Sequence, residues 1–317
     1  MIFLRNGKFE MKRTIVLLTI LILGSLVAYS LAQMGHGMMR GGHMMGKGMH
    51  DYLPVQYNPD YFDEAMHISR GGQLYDNWWK TTVNTNKPKE DHPLWKMQSN
   101  NKRSGYSSFR CKECHGWDYK GKDGAYGTGS HFTGFKGVLG ASQKMSVKEL
   151  EGALKGSTNQ EHDFSKHITD KDIADLALFL KKGLTDTTKF IDPKGIPAGG
   201  DLNSGSYIFN TNCAQMCHGG PGTMINFGDD KKPEYVGTVA NKNPWEFIHK
   251  VRAGQPGTKM LSGIINKLSD KDILDLLAYA RTLPKNSDES NRAGHMMGDM
   301  EHHQSSGDTR GFGPITK

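Results

Sequence analysis

Cys111-Lys112-Glu113-Cys114-His115 and Cys213-Ala214-Gln215-Met216-Cys217-His218 decide how this chain is read. The first stretch has the C-x-x-C-H spacing of covalent c-type haem attachment. Two thiols one helical turn apart can add to the two vinyl groups of one haem, and the adjacent histidine then lies under the iron as proximal ligand. The competing reading is a zinc half-site or a redox dithiol, and the histidine directly after Cys114 argues against it. The second stretch has three residues between its cysteines, a spacing the motif rule does not cover. A local bulge in the turn can absorb the extra residue, and the Cys217-His218 pair is kept. The two motifs use all four cysteines of the 317-residue chain. No thiol is left for a disulfide, a catalytic nucleophile or a further metal ligand.

An internal repeat ties the two stretches together. Thr169-Asp-Lys-Asp-Ile-Ala-Asp-Leu176 matches Ser269-Asp-Lys-Asp-Ile-Leu-Asp-Leu276 one hundred residues later, and Phe179 and Tyr279 continue the match. Each copy opens with a Thr or Ser N-cap and an acidic residue three positions on, the start of an amphipathic helix. The Asp170/Asp172 and Asp270/Asp272 pairs are helix-start charges of the kind the helix dipole favours. Upstream, Ser146 and Asn243 are the N-caps of a second pair of helices over 146–155 and 243–252, with Pro244 in a tolerated first-turn position. A third pair precedes the motifs, where Gly71-Gly-Gln-Leu74-Tyr75 matches Gly205-Ser-Tyr-Ile208-Phe209. Each half therefore runs helix, cysteine motif, glycine-rich loop, helix, loop, helix.

In this order of elements each half resembles a class I cytochrome c domain, and the resemblance covers nearly the whole core. It implies an all-α fold of two tandem domains with little or no sheet, two covalently bound haem c groups, and a crossing of first and last helices at a glycine and an aromatic. Cys111, Cys114, Cys213 and Cys217 would hold the two haems, with His115 and His218 as proximal ligands. The domains span 60–183 and 202–285, joined by a linker over 184–201 that carries Pro193, Pro197 and Gly199-Gly200. Gly205 stands eight residues before Cys213, but Gly71 stands forty before Cys111. The first domain thus carries an insertion over 76–110 with Trp78, Trp79, His92, Trp95 and several lysines. Either it is a surface loop whose tryptophans pack on the domain, or it covers a haem edge or docks a partner.

Class I cytochromes complete the iron with a methionine from the loop before the last helix. Met260 fits that loop, six residues after Gly254, and His162 lies six residues after Gly156 in the other half. By register His162 replaces the methionine, with His131, His167 and Met145 as competitors. Thioether ligation raises a haem potential and a second imidazole keeps it lower. Electrons are then expected to pass from a His115/His162 haem to a His218/Met260 haem.

Residues 1–32 read as a secretory leader, with Lys12 and Arg13 before an apolar run from Ile15 to Val27 and a Ser30-Leu31-Ala32 cleavage site; Met11 is an alternative start. The alternative is an uncleaved membrane anchor. Either way the chain is expected to be periplasmic or otherwise exported. Residues 33–59 are rich in Met, His and Gly, and 286–317 echo them with His295, Met296, Met297, Met300, His302 and His303. Thioethers with imidazoles suit copper, but no spacing fixes a geometry, so a flexible spacer is the simpler reading. The formal charge of +7 includes Arg5, Lys8, Lys12 and Arg13 of the leader, and haem propionates offset more of it. Without aromatic platforms in basic stripes, nucleic acid is set aside.

Two function classes follow. The first is an electron carrier between a redox protein donor and acceptor, alone or as the cytochrome subunit of a larger oxidoreductase complex. The second is a dihaem oxidoreductase acting on a small sulfur or nitrogen oxyanion or a peroxide. The chain is distantly similar to thiosulfate dehydrogenase-type dihaem cytochromes, although their cysteine-ligated iron has no counterpart where every cysteine is spent. No peroxidase-like motif surrounds Cys111. Six-coordinate irons favour the carrier.

Overall fold

Residues 59–82 and 87–286 are described by the computed structural model, and they fall within one unit of residues 57–317. The leader, the Met/His/Gly segment up to residue 58 and the tail from residue 287 lie outside the described residues. The secondary structure is all helical, and pairing of extended backbone is limited, among the described residues, to isolated bridges such as Gly121 with Lys136 and Lys155 with Asp163.

In the first half, α1 (Pro59–Thr81) is followed by α2 (Cys111–His115), α3 (Leu139–Lys144), α4 (Val147–Leu154) and α5 (Asp170–Leu178). In the second half α6 (Leu202–Phe209) runs into a π-helical stretch, Asn210–His218, and then come α7 (Val236–Lys242), α8 (Pro244–Ala253) and α9 (Asp270–Ala280). The caps form as the sequence demands. The Thr169 hydroxyl accepts from the Asp172 N–H at 3.2 Å while the Asp172 carboxylate accepts from the Thr169 N–H at 2.9 Å. Ser269 and Asp272 repeat the exchange at 3.2 and 2.8 Å, and Ser146 with Glu149 forms a third box. Each box satisfies orphan donors of a helix start.

The repeat has a steric cause. A Cβ placed on Gly71 would lie 2.1 Å from the Asp175 carbonyl oxygen and 2.5 Å from Cβ of Phe179. A Cβ on Gly205 would lie 2.1 Å from the Asp275 carbonyl oxygen and 2.7 Å from Cβ of Tyr279. Thus α1 crosses α5 in the way α6 crosses α9, with backbone against backbone at a glycine and the recurrent aromatic beside it. Buried Asp175 and Asp275 anchor the two crossings. Asp175 accepts from His67 and Arg70 of α1 at 2.6 Å each, and Asp275 accepts from the Asp201 N–H at 2.9 Å.

Two apolar clusters result. One gathers Leu74, Tyr75, Trp78, Leu150, Phe164, Ile173, Leu176 and Phe179, and the other Ile208, Phe209, Ile248, Ile273, Leu276 and Leu277. Phe190 and Ile191, from the segment read as the linker, are buried in the second cluster, so part of that segment is core, while its Ile196 stays exposed. The inserted segment is also packed: Trp78 and Trp79 belong to α1, which kinks at Asn77, and the buried Trp95 donates from Nε1 to the Arg103 carbonyl at 2.9 Å.

The halves meet along α1 and α8. Gly72 faces Ala253, where a Cβ would come within 2.6 Å of the alanine Cβ. Ser69 Oγ donates to the Ala253 carbonyl at 2.8 Å. His249 of α8 is fully enclosed, its Nε2 3.0 Å from the Gly72 carbonyl and its Nδ1 2.8 Å from the Tyr119 hydroxyl. Since the carbonyl can only accept, Nε2 carries the proton and Nδ1 accepts from the tyrosine. Burial holds this imidazole down at about 4 against the opposing charge of Asp76, hence neutral. Asp76 of α1, almost fully buried, accepts from Lys250 of α8 at 2.8 Å and is paired with Arg110.

Candidate functional site

The Cys111–His115 turn is a single short helix closed by Gly116 at φ +76°, where the Gly116 N–H returns to the Lys112 carbonyl at 3.0 Å. Tyr75 of α1 donates its hydroxyl to the Gly116 carbonyl at 2.6 Å, which ties the motif to the helix crossing. Between the cysteines, fully buried Glu113 takes Lys112 at 2.5 Å and Arg103 at 3.0 Å. Burial pushes this carboxyl up, but His131, Lys112 and Arg103 outweigh it and bring it to about 2.

Cys111, Cys114 and His115 line one cavity together with His92, Leu94, Phe109, Phe135, His162 and Phe164. His115 Nδ1 lies 2.7 Å from the Lys136 carbonyl, a carbonyl held in place by the bridge from Gly121. A carbonyl can only accept, so Nδ1 carries the proton and Nε2 keeps its lone pair. His162 sits on a single 3₁₀ turn, Gln160–His162, reached through Gly156 at φ +82°, and its Nδ1 leans on the Ala153 carbonyl at 3.4 Å. Its Nε2 likewise keeps its lone pair. Burial pushes His115 down to about 4, and it lowers His162 as well, so both rings are neutral.

The two ring centroids are 6.2 Å apart with planes at 75°. Two metal–nitrogen bonds of about 2 Å, with about 1.1 Å from each nitrogen to its ring centre, would put the centroids of two imidazoles on one metal ion up to about 6.2 Å apart. The donor set and its spacing therefore fit an iron between His115 and His162, with apolar walls and two thiols beside it. Burial pushes Cys111 up to about 12 and raises Cys114 further, so neither thiol is activated as a redox nucleophile. No group of three His, Cys, Asp or Glu side chains among the described residues could hold a metal ion.

The competitors are occupied elsewhere. His131 stacks on Tyr126 at 4.7 Å, His167 packs on Phe109 and Trp78, and Met145 rests against the first cluster. The sequence reading missed His92 as a site residue. It comes from the insertion, is 8% exposed, and stands 6.1 Å from His162 between centroids. Burial, then His162 and His167, holds it at about 4. Its one sequence signal was an imidazole just ahead of a Pro-Leu-Trp turn, which by itself does not point to a cavity.

The second motif shows how the longer spacing is accommodated. Residues 210–218 are π-helical, and the Gly219 N–H returns to the Ala214 carbonyl at 2.9 Å, one residue further back than in the first motif. Gly219 then closes the turn at φ +70°, as Gly116 does. Beyond it the loops coincide: the His115 carbonyl accepts from Gly121 at 2.8 Å and the His218 carbonyl from Met224 at 3.0 Å, each six residues on. The extra residue is thus absorbed entirely within the wider turn. His218 is less fully supported than His115, since its buried Nδ1 has no hydrogen-bond partner among the described residues. Burial lowers it, and it meets Phe227 edge-on at 5.7 Å. Met260 is half-buried after Gly254, whose φ of +85° matches that of Gly156, so the loop register holds. The structure brings His162 across from His115 but gives no corresponding pairing of Met260 with His218.

Residues 200–279, from before α6 into α9, match the family model described as cytochrome C oxidase, cbb3-type, subunit III. The matched span contains Cys213, Cys217, His218 and Met260. No curated protein and no solved structure matches the chain. The match supports a c-type cytochrome, with the covalent haem and the electron-transfer role that such a domain implies.

Proposed function

We propose that this chain is an exported dihaem electron carrier built of two tandem class I cytochrome c domains. The first haem is attached at Cys111 and Cys114 and ligated by His115 and His162. The second is attached at Cys213 and Cys217 and ligated by His218 and Met260. When bound, each haem supplies a one-electron couple. At the first site Phe109, Phe135 and Phe164 would exclude water from the haem, and the Lys136 and Ala153 carbonyls would fix the tautomers of His115 and His162.

The observation that carries the reading is the His115–His162 spacing of 6.2 Å with both Nδ1 atoms facing backbone carbonyls. Two imidazoles make the first haem the lower-potential one, and the thioether makes the second higher, so electrons run from the first domain to the second. The donor and acceptor are redox proteins, or neighbouring subunits of a larger oxidoreductase complex. The membrane is involved only if the leader is retained; no helix among the described residues is long and apolar enough to cross one.

Low-temperature EPR of the ferric protein tests the ligand sets. The wild type should show two low-spin signals, of which His162→Ala removes one and Met260→Ala the other. Both signals surviving in His162→Ala would refute the assignment at the first haem.

A further inference from the structure

Three imidazoles surround the first cavity, and their hydrogen bonds divide them into two kinds. His115 and His162 both turn Nδ1 to a backbone carbonyl, which leaves Nε2 as a lone pair. His92 does the reverse. Its Nδ1 accepts the Leu94 N–H at 3.2 Å as the cap of the Pro93–Met97 turn, so the proton of the neutral ring sits on Nε2. A ring in this form cannot ligate iron through Nε2. It is a hydrogen-bond donor at the edge of an otherwise apolar cavity.

The ring is also held. Phe109 packs edge-on at 4.8 Å and Phe164 lies at 5.5 Å, while the His92 N–H donates to Ser108 Oγ at 2.8 Å. His162, by contrast, hangs on a three-residue turn with a 3.4 Å contact to Ala153. On its outer side His92 lines a second, broad groove with Lys87, Lys89, Trp95, Lys96 and Tyr106. One residue therefore walls the cavity from the surface.

We propose that His92 is a distal hydrogen-bond donor for a small exogenous iron ligand that takes the place of His162 at the first haem, entering from the groove it closes. The ligand class is a small molecule or anion whose far atom accepts a hydrogen bond. The step is an exchange without redox change: the His162 Nε2–iron bond breaks, the iron–ligand bond forms, and Nε2–H of His92 donates to the bound molecule. This rests on the His115/His162 ligation proposed above.

Carbon monoxide added to the dithionite-reduced holoprotein is the probe. One haem should bind it, and His92→Leu should raise the C–O stretching frequency and speed dissociation several-fold. His92→Gln, which keeps an N–H donor, should restore both toward wild type, and the absorption of the second haem, which should not bind carbon monoxide, should be the same in both variants. If His92→Leu does not fold, His92→Phe takes its place. No carbon monoxide uptake by the wild type, or a stretch unmoved by loss of the donor, would overturn the proposal. No haem lost on Cys111→Ala/Cys114→Ala, or unchanged low-spin signals in His162→Ala, would instead refute the ligation beneath it.

Discussion

At the scale of single residues, charge and tautomer decide most of what happens. Asp76 is the clearest case. Burial pushes its carboxyl up, but Lys250 and Arg110 overcome burial and hold it at about 2, below the usual 3.8. A carboxyl depressed in the folded state stabilises the fold above its unfolded pKa, and that contribution is lost as pH falls toward the folded value. The difference is worth on the order of 2 kcal/mol. Denaturant midpoints taken from pH 6 down to pH 2 should fall in the wild type, with a smaller pH-dependent fall in Asp76→Asn. The asparagine variant should already be weaker at pH 6, because Lys250 and Arg110 lose their partner. Parallel curves for the two proteins would show that this pair carries no pH dependence.

Which residues could be read in advance follows from how local their geometry is. The two cysteine motifs and the capping residues each depend on neighbours within a few positions, and the turns and capping boxes form where the spacing placed them. His162 could be found because Gly156 and Gly254 set the same loop register in both halves. His92 could not, since its place in the cavity depends on the path of a long insertion. The pairing of Met260 is similarly a long-range matter that a register argument reaches only as far as the loop.

At the scale of elements, the two glycine crossings explain why the repeat keeps its glycines. Gly205→Ala puts a methyl 2.1 Å from the Asp275 carbonyl oxygen, and backbone cannot yield as a side chain does. It should cost about 2–4 kcal/mol. Gly140→Ala in α3 meets nothing within 4 Å and should stabilise by about 0.5–1 kcal/mol. Chemical denaturation of both variants checks the contrast, and equal effects would mean the crossing is not the constraint.

The π-helical motif makes a second prediction. Deleting Met216, which is 91% exposed, restores the shorter spacing. The turn should revert to α geometry and the haem at Cys213 should still attach, as read from the mass of the purified protein. Loss of that haem would show that the wider turn is needed for attachment. This accommodation was only half legible: the sequence announces an extra residue, but not that the π turn contains it before Gly219. The family match falls on this irregular half.

At the scale of the whole molecule, the double glycine of α1 serves two partners. Gly71 admits α5 of its own half, and Gly72 admits Ala253 of the other. The second repeat has Ser206 where the first has Gly72, because no third half packs there. With His249 buried in the same contact and Lys250 paired there with buried Asp76, the halves should unfold together. Thermal melts followed separately at the absorption of each haem should coincide in the wild type and split in Gly72→Val. Coincident transitions in both proteins would mean that the contact along α1 and α8 does not couple the halves.

The claim on which the rest stands is that two compartments each hold one covalent haem. Intact mass of the mature protein tests it directly, alongside Cys111→Ala/Cys114→Ala and Cys213→Ala/Cys217→Ala. The wild type should weigh two haems more than its polypeptide, and each double variant should weigh one. A wild type carrying a single haem, with one pair of substitutions leaving its mass otherwise unchanged, would contradict the account.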